Sequence, residues 1–149
     1  MRQRTRGPVA ALAALAALAA PAAGAADFSA YSGVELYHRF CESCHGKSGE
    51  GNGPVSGSFA VVLPDLRRIA LRHGGKFPDN WAYRVIDGRE ALVSHGPRDM
   101  PVWGVELWRE QGADVTAGAK TRDAIAKLVE YLRDLQVPRA PAEPGGPGR

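Results

Sequence analysis

The sequence predicts a small, mostly α-helical domain in which short helices are separated by long loops. Apolar residues recur at 3.6-residue spacing near the C-terminus, glycines cluster in the middle, and no stretch alternates apolar and polar residues long enough to make a strand. Of the 149 residues, 44% are hydrophobic and 23% charged, which is ordinary globular composition for one domain.

The clearest helix comes last, where Ile125, Leu128, Val129, Leu132 and Leu135 share a face and Pro138 stops the run. A second is expected from about Gly33 to Ser43, with Leu36, Tyr37 and Phe40 on one side. A third is expected from Asp79, read as its N-cap, to Asp87, with Trp81, Val85 and Ile86 apolar and Gly88 closing it. Arg67 to His73 and Trp103 to Gln111 suggest shorter helices, for a total of four to five. Between them, Gly46 to Gly57 reads as a Gly-rich loop, and Glu90 to Pro101 has no clear period. Short helices and 18 glycines bury little apolar surface on their own, so something else is expected to fill the middle.

The ends divide from this domain by composition. Residues 1–26 combine three arginines, an Ala/Leu run and small residues at 22–26, the layout of a secretory signal peptide cleaved near Ala25 or Ala26. The apolar run is about half the ~20 residues a membrane helix requires, so membrane attachment is expected only if the segment is retained. Residues 27–137 form the domain, and 138–149 place prolines at 138, 141, 144 and 147 in a disordered or polyproline-like tail. The leader also explains the net charge of +3, because Arg2, Arg4 and Arg6 supply all of it. From Asp27 onward basic and acidic residues balance, which argues against a nucleic-acid partner.

Both cysteines fall in Cys41-Glu42-Ser43-Cys44-His45. Two thiols three positions apart followed at once by histidine are the pattern of covalent c-type haem attachment: each thiol adds to one vinyl group, and the imidazole is held at the iron. Two other readings compete. A thioredoxin-type redox pair needs a βαβ setting that is missing from the pattern. A zinc site would have to recruit scattered His38, His73 or His95 to complete Cys41, Cys44 and His45. For the iron's sixth ligand, Met100 is the sole methionine after the initiator, set in a loop and followed by Pro101; His95 competes with it, and His73 and His38 stand behind. A Met ligand fills the coordination sphere and favours ferrous iron relative to a second nitrogen.

These residues resemble class I (mitochondrial-type) cytochromes c, above all the small bacterial single-haem ones. The resemblance runs through Gly33 with Leu36-Tyr37, the haem motif with Gly46, Gly49 to Pro54, Pro64-Asp65-Leu66, Gly74 to Pro78, Ile86-Asp87-Gly88, His95-Gly96, Met100 to Gly104 and the final helix. It implies a cytochrome c fold wrapped around one haem c, with N- and C-terminal helices crossing where Gly33 lets Tyr131 or Leu132 approach. It also implies that His45 and Met100 meet the iron from opposite faces, and that the Pro64 carbonyl, or failing that Pro54, accepts a hydrogen bond from the far nitrogen of His45. Such an acceptor fixes the tautomer and makes the ligand more basic. Leu66, Phe77, Val85, Ile86 and Trp103 are candidates for the apolar haem wall, and Arg67, Arg72, Lys76 and Arg98 for propionate partners or plain surface charges.

The expected role is one-electron transfer between redox proteins in the periplasm, with no catalytic acid, base or nucleophile and no small-molecule substrate. A subunit of an extracytoplasmic oxidoreductase fits the same residues. A haem catalyst or gas sensor would need an open sixth position.

Overall fold

The computed structural model describes residues 25–90 and 100–138. The leader to residue 24, His95, Arg98 and the tail from 139 lie outside the described residues. Among these residues, six α-helices run in the order α1 (Gly33–Phe40), α2 (Glu42–His45), α3 (Ile69–Arg72), α4 (Asp79–Asp87), α5 (Trp103–Glu110) and α6 (Val115–Asp134), with 3-10 turns at Ser56–Ser58 and Leu66–Arg68. Among the described residues there is no strand, and no helix is long and apolar enough to cross a membrane.

Local chemistry sets the helix ends. Ser32 opens α1 with a capping box: its hydroxyl accepts from Glu35 N–H, while the Glu35 carboxylate accepts from Ser32 N–H at 2.8 Å. Asp114 opens α6 by accepting from Ala117 N–H at 2.7 Å, so the helix begins ten residues before Ile125, the first residue of its apolar pattern. The helix expected over 33–43 ends instead at Phe40, and a separate turn, α2, carries the cysteine motif. Asp79 is the first residue of α4 rather than its cap, Pro78 holding that position. Its carboxylate is used in an ion pair with Arg133 of α6, Nε donating at 2.7 Å.

The core gathers Leu36 and Tyr37 of α1, Ala82 and Ile86 of α4, Leu107 of α5, and Ala124, Ile125, Leu128, Val129 and Leu132 of α6. Phe28 seals it beside α1, edge-on to Tyr31 and Phe40 with ring centroids 5.6 and 5.2 Å away. From 46 to 65 the buried residues are glycines alone (46, 49 and 53), so this side of the molecule contributes no buried apolar side chain.

Helices α1 and α6 cross at Gly33, as expected. A Cβ there would lie 2.3 Å from Lys127 O and 3.0 Å from Tyr131 Cβ, so Lys127 and Tyr131, not Leu132, make the close approach. The neighbour is helix backbone, which cannot turn aside as a side chain would. Gly33→Ala should therefore cost about 3 kcal/mol, the upper end of ordinary overpacking. Gly57→Ala, where nothing lies within 4 Å of the added Cβ, should leave stability within about 0.5 kcal/mol of the parent. Thermal unfolding of the two variants checks the contrast; equal midpoints would contradict the packing.

Candidate functional site

Helix α2 places Cys41 and Cys44 one turn apart and His45 directly beyond. His45 N–H donates to Cys41 O at 2.9 Å, and Gly46 N–H to Glu42 O at 2.8 Å. The chain then doubles back on this turn. Gly51 N–H donates to His45 O (2.8 Å), Gly53 N–H to Cys44 O (3.2 Å) and Val55 N–H to Ser43 O (3.1 Å), so the loop satisfies the carbonyls that a helix end leaves open. Gly51 adopts φ +83, and a Cβ on it would sit 2.4 Å from Leu63 O and 3.4 Å from the Pro64 carbonyl carbon. Glycine here lets the motif, its loop and the Leu63–Pro64 strap lie against one another.

Both cysteines are free thiols. Burial, with Cys44 beside it, pushes the Cys41 thiol up to about 12. Burial pushes His45 the other way, below the usual histidine range, which keeps the imidazole neutral and its nitrogen lone pair available. His45 Nδ1 is buried without a hydrogen-bond partner, so neither the Pro64 nor the Pro54 carbonyl accepts from it here. Pro64 is exposed and lies close through Gly51; Leu66 is half-buried.

Most of the other expected apolar residues converge on the same core, whereas Val85 of α4 is half-buried and does not belong to it. Cys41, Leu66, Met100 and Trp103 all pack against it, and Trp103 meets Phe40 at 5.3 Å between ring centroids. Phe77 and Ile86 belong to the core itself. Of the rival ligands within the described residues, His38 and His73 are engaged locally: His38 Nδ1 lies 2.5 Å from Glu42 Oε2, and His73 Nδ1 donates to Ile69 O at 2.9 Å. No group of three or more His, Cys, Asp or Glu among the described residues is arranged to hold a metal ion on its own.

Two of the candidate propionate partners are taken by the protein. Arg67 bridges Glu50 (2.7 Å) and Asp65 (2.9 Å), holding the Asp65 carboxyl below its usual range, and Arg72 donates to Asp65 O at 2.9 Å. Lys76 lines an open cleft with His73 and Trp81. The motifs assigned no role to the hydroxyl of Tyr37. Its hydroxyl, fully buried, donates to Gly46 O at 2.6 Å and so ties α1 to the turn that follows His45. In sequence Tyr37 reads as an apolar residue of α1 and part of the family resemblance, with nothing to announce this bond.

Comparison with known proteins settles what the motif belongs to. The profile of the family described as cytochrome c oxidase, cbb3-type, subunit III matches residues 28–117. The chain belongs to this cytochrome c family. As a family member it has an electron-transfer domain that carries covalently bound haem c. The all-helical cytochrome fold described above agrees with that membership. The cytochrome is also similar to the dehydrogenase subunit of alcohol dehydrogenase (quinone) from Acetobacter aceti, 39% identical over 66 residues. That match covers 44% of this chain and 7% of the Acetobacter protein, so the chain spans a small part of that relative. No solved structure matches the cytochrome significantly.

The residues fit the haem. A covalent haem needs two free thiols one helical turn apart, a neutral imidazole with an uncommitted buried nitrogen, and apolar side chains nearby; α2 and its surroundings supply each.

Proposed function

We propose that the protein is a periplasmic one-electron carrier in which Cys41 and Cys44 attach the haem and His45 and Met100 are the axial ligands. Bound haem supplies an iron that cycles between ferric and ferrous states. The observation that carries the reading is the buried, unpartnered Nδ1 of His45, on an imidazole held neutral beside two free thiols. The loop from Gly49 to Val55 fixes the position of His45 by bonding its carbonyl and those of Ser43 and Cys44. Leu66, Met100 and Trp103 exclude water from that side, and the Pro64 carbonyl becomes the acceptor for His45 once the ligand's other nitrogen is committed. His/Met ligation and the crossed terminal helices make this the class I arrangement.

Residues 1–26 direct export and are removed, 27–137 form the cytochrome domain, and 138–149 remain as a Pro/Gly-rich extension. Donor and acceptor are redox proteins that dock at the haem edge. A filled coordination sphere is the decisive property: ferrous protein at neutral pH should titrate reversibly as a one-electron couple and bind carbon monoxide slowly or not at all. Rapid carbon monoxide binding would favour a catalyst or gas sensor instead.

A second reading has its own support. The family is described as an oxidase subunit, and the Acetobacter relative is the dehydrogenase subunit of a quinone-linked alcohol dehydrogenase. In this reading the same residues serve as the electron-transfer subunit of a periplasmic oxidoreductase complex, and an enzyme subunit co-purifying with the cytochrome would decide for it.

A further inference from the structure

Gln136 lies two residues beyond α6, and its amide ties together three parts of the chain. Nε2 donates to Leu66 O at 2.9 Å and to Leu132 O at 2.6 Å, while Oε1 accepts from Ala70 N–H at 2.8 Å. The reverse amide orientation would set an oxygen against two carbonyl oxygens, so the network itself fixes the orientation. The next residue continues the seam, Val137 N–H donating to Arg67 O at 3.0 Å. Leu66 N–H in turn donates to Gly49 O at 2.7 Å, which links this seam to the loop that returns to His45. At Gly49 the seam is closed by apolar contact, since a Cβ there would be 3.5 Å from both Leu135 Cδ1 and Leu66 Cβ.

The structure assigns Gln136, we infer, the role of a positioning residue that clamps the Leu66–Ala70 segment to the end of α6 and so holds the Leu66 wall closed against the haem. This rests on the haem being attached at Cys41 and Cys44. Without the amide, Ala70 N–H loses its partner and Leu66 O keeps only the bond from Ile69 N–H, and the cheapest way to satisfy the freed groups is water. Opening of this kind is local, so the helical core can persist while the wall loosens. Water beside the haem stabilises the ferric, more charged state and lowers the potential.

The test uses exported holoprotein. Gln136→Leu removes all three bonds at similar volume; Gln136→Glu removes both donors and is the second variant should the first fail to fold. Thr121→Ala, which breaks a buried bond to Gln111 at the other end of α6, is the control for plain loss of stability. Both Gln136 variants are expected to shift the ferrous–ferric equilibrium about tenfold toward ferric, equivalent to about 59 mV for one electron. Amide exchange at Ala70 should also rise at least about tenfold in Gln136→Leu, which alone removes the acceptor for that N–H, while Thr121→Ala leaves both readouts at the wild-type value. Haem on both cysteines with an unchanged potential in the Gln136 variants, or an equal shift in Thr121→Ala, would overturn the positioning role alone. A wild-type protein without haem on these cysteines would overturn this inference together with the function on which it rests.

Discussion

Cys41→Ala combined with Cys44→Ala is expected to yield an exported protein with no haem and no cooperative unfolding transition. The reason lies in how the core is distributed. Its buried side chains come from α1, α4, α5 and α6 with Phe28, Ile69 and Phe77, and between 46 and 65 only glycines are buried. Apart from α6, the helices have nine residues or fewer, a length that is marginal in water without tertiary support. A group that binds only the folded chain adds its binding free energy to stability. Removing it costs several kcal/mol, comparable with the whole stability of about 5–15 kcal/mol typical of a domain. Near-ultraviolet circular dichroism and urea unfolding of the variant provide the check. A haem-free protein with a native-like near-ultraviolet signal and a sharp transition would contradict the argument.

Met100→Ala should have the second largest effect, this time on the iron and not on the fold. Met100 sits at the edge of the core just before α5, so the truncation leaves the helices in place. Losing a thioether ligand withdraws the preference for ferrous iron, and the potential should fall by about 0.1–0.2 V of the ~0.8 V range that axial ligands command. The sulfur-to-iron charge-transfer band should vanish, and the ferrous protein should bind carbon monoxide rapidly. An unchanged ferric spectrum would transfer the sixth position to another residue, with His95 the first to examine.

Much of the fold could be read from the chain because its signals are local. The apolar spacing of 125–135 and the left-handed Gly88 after α4 are properties of neighbouring residues, and both helices are present. The start of α6 was not legible, since its first turns carry Val115 exposed and Ala117 buried without the apolar stripe that marks the rest. Asp79 has the chemistry of a cap, but Arg133, 54 residues away, claims its carboxylate, and no local pattern announces such a partner. The motif of the site was legible for the opposite reason: attachment needs two thiols and an imidazole at fixed spacing, and that spacing is covalent.

What surrounds the motif was much harder to read. The Tyr37 hydroxyl reaches Gly46 only after α1 breaks at Cys41, and Gln136 meets Ala70 and Leu66 across 66 and 70 residues. These bonds depend on tertiary approach and carry no sequence period. Arg67 illustrates the same point from the other side, since a basic residue beside a haem wall suggests a propionate, yet Asp65 and Glu50 hold it.

The central claim is that this chain carries one haem on Cys41 and Cys44. Mass spectrometry of the protein exported by a host able to mature c-type cytochromes tests it most directly. The account expects the mass of the polypeptide plus one haem, and a single haem-bearing peptide containing Cys41 to His45 with neither thiol open to alkylation. An exported protein of bare polypeptide mass, with Cys41 and Cys44 alkylated or joined as a disulfide, would contradict it.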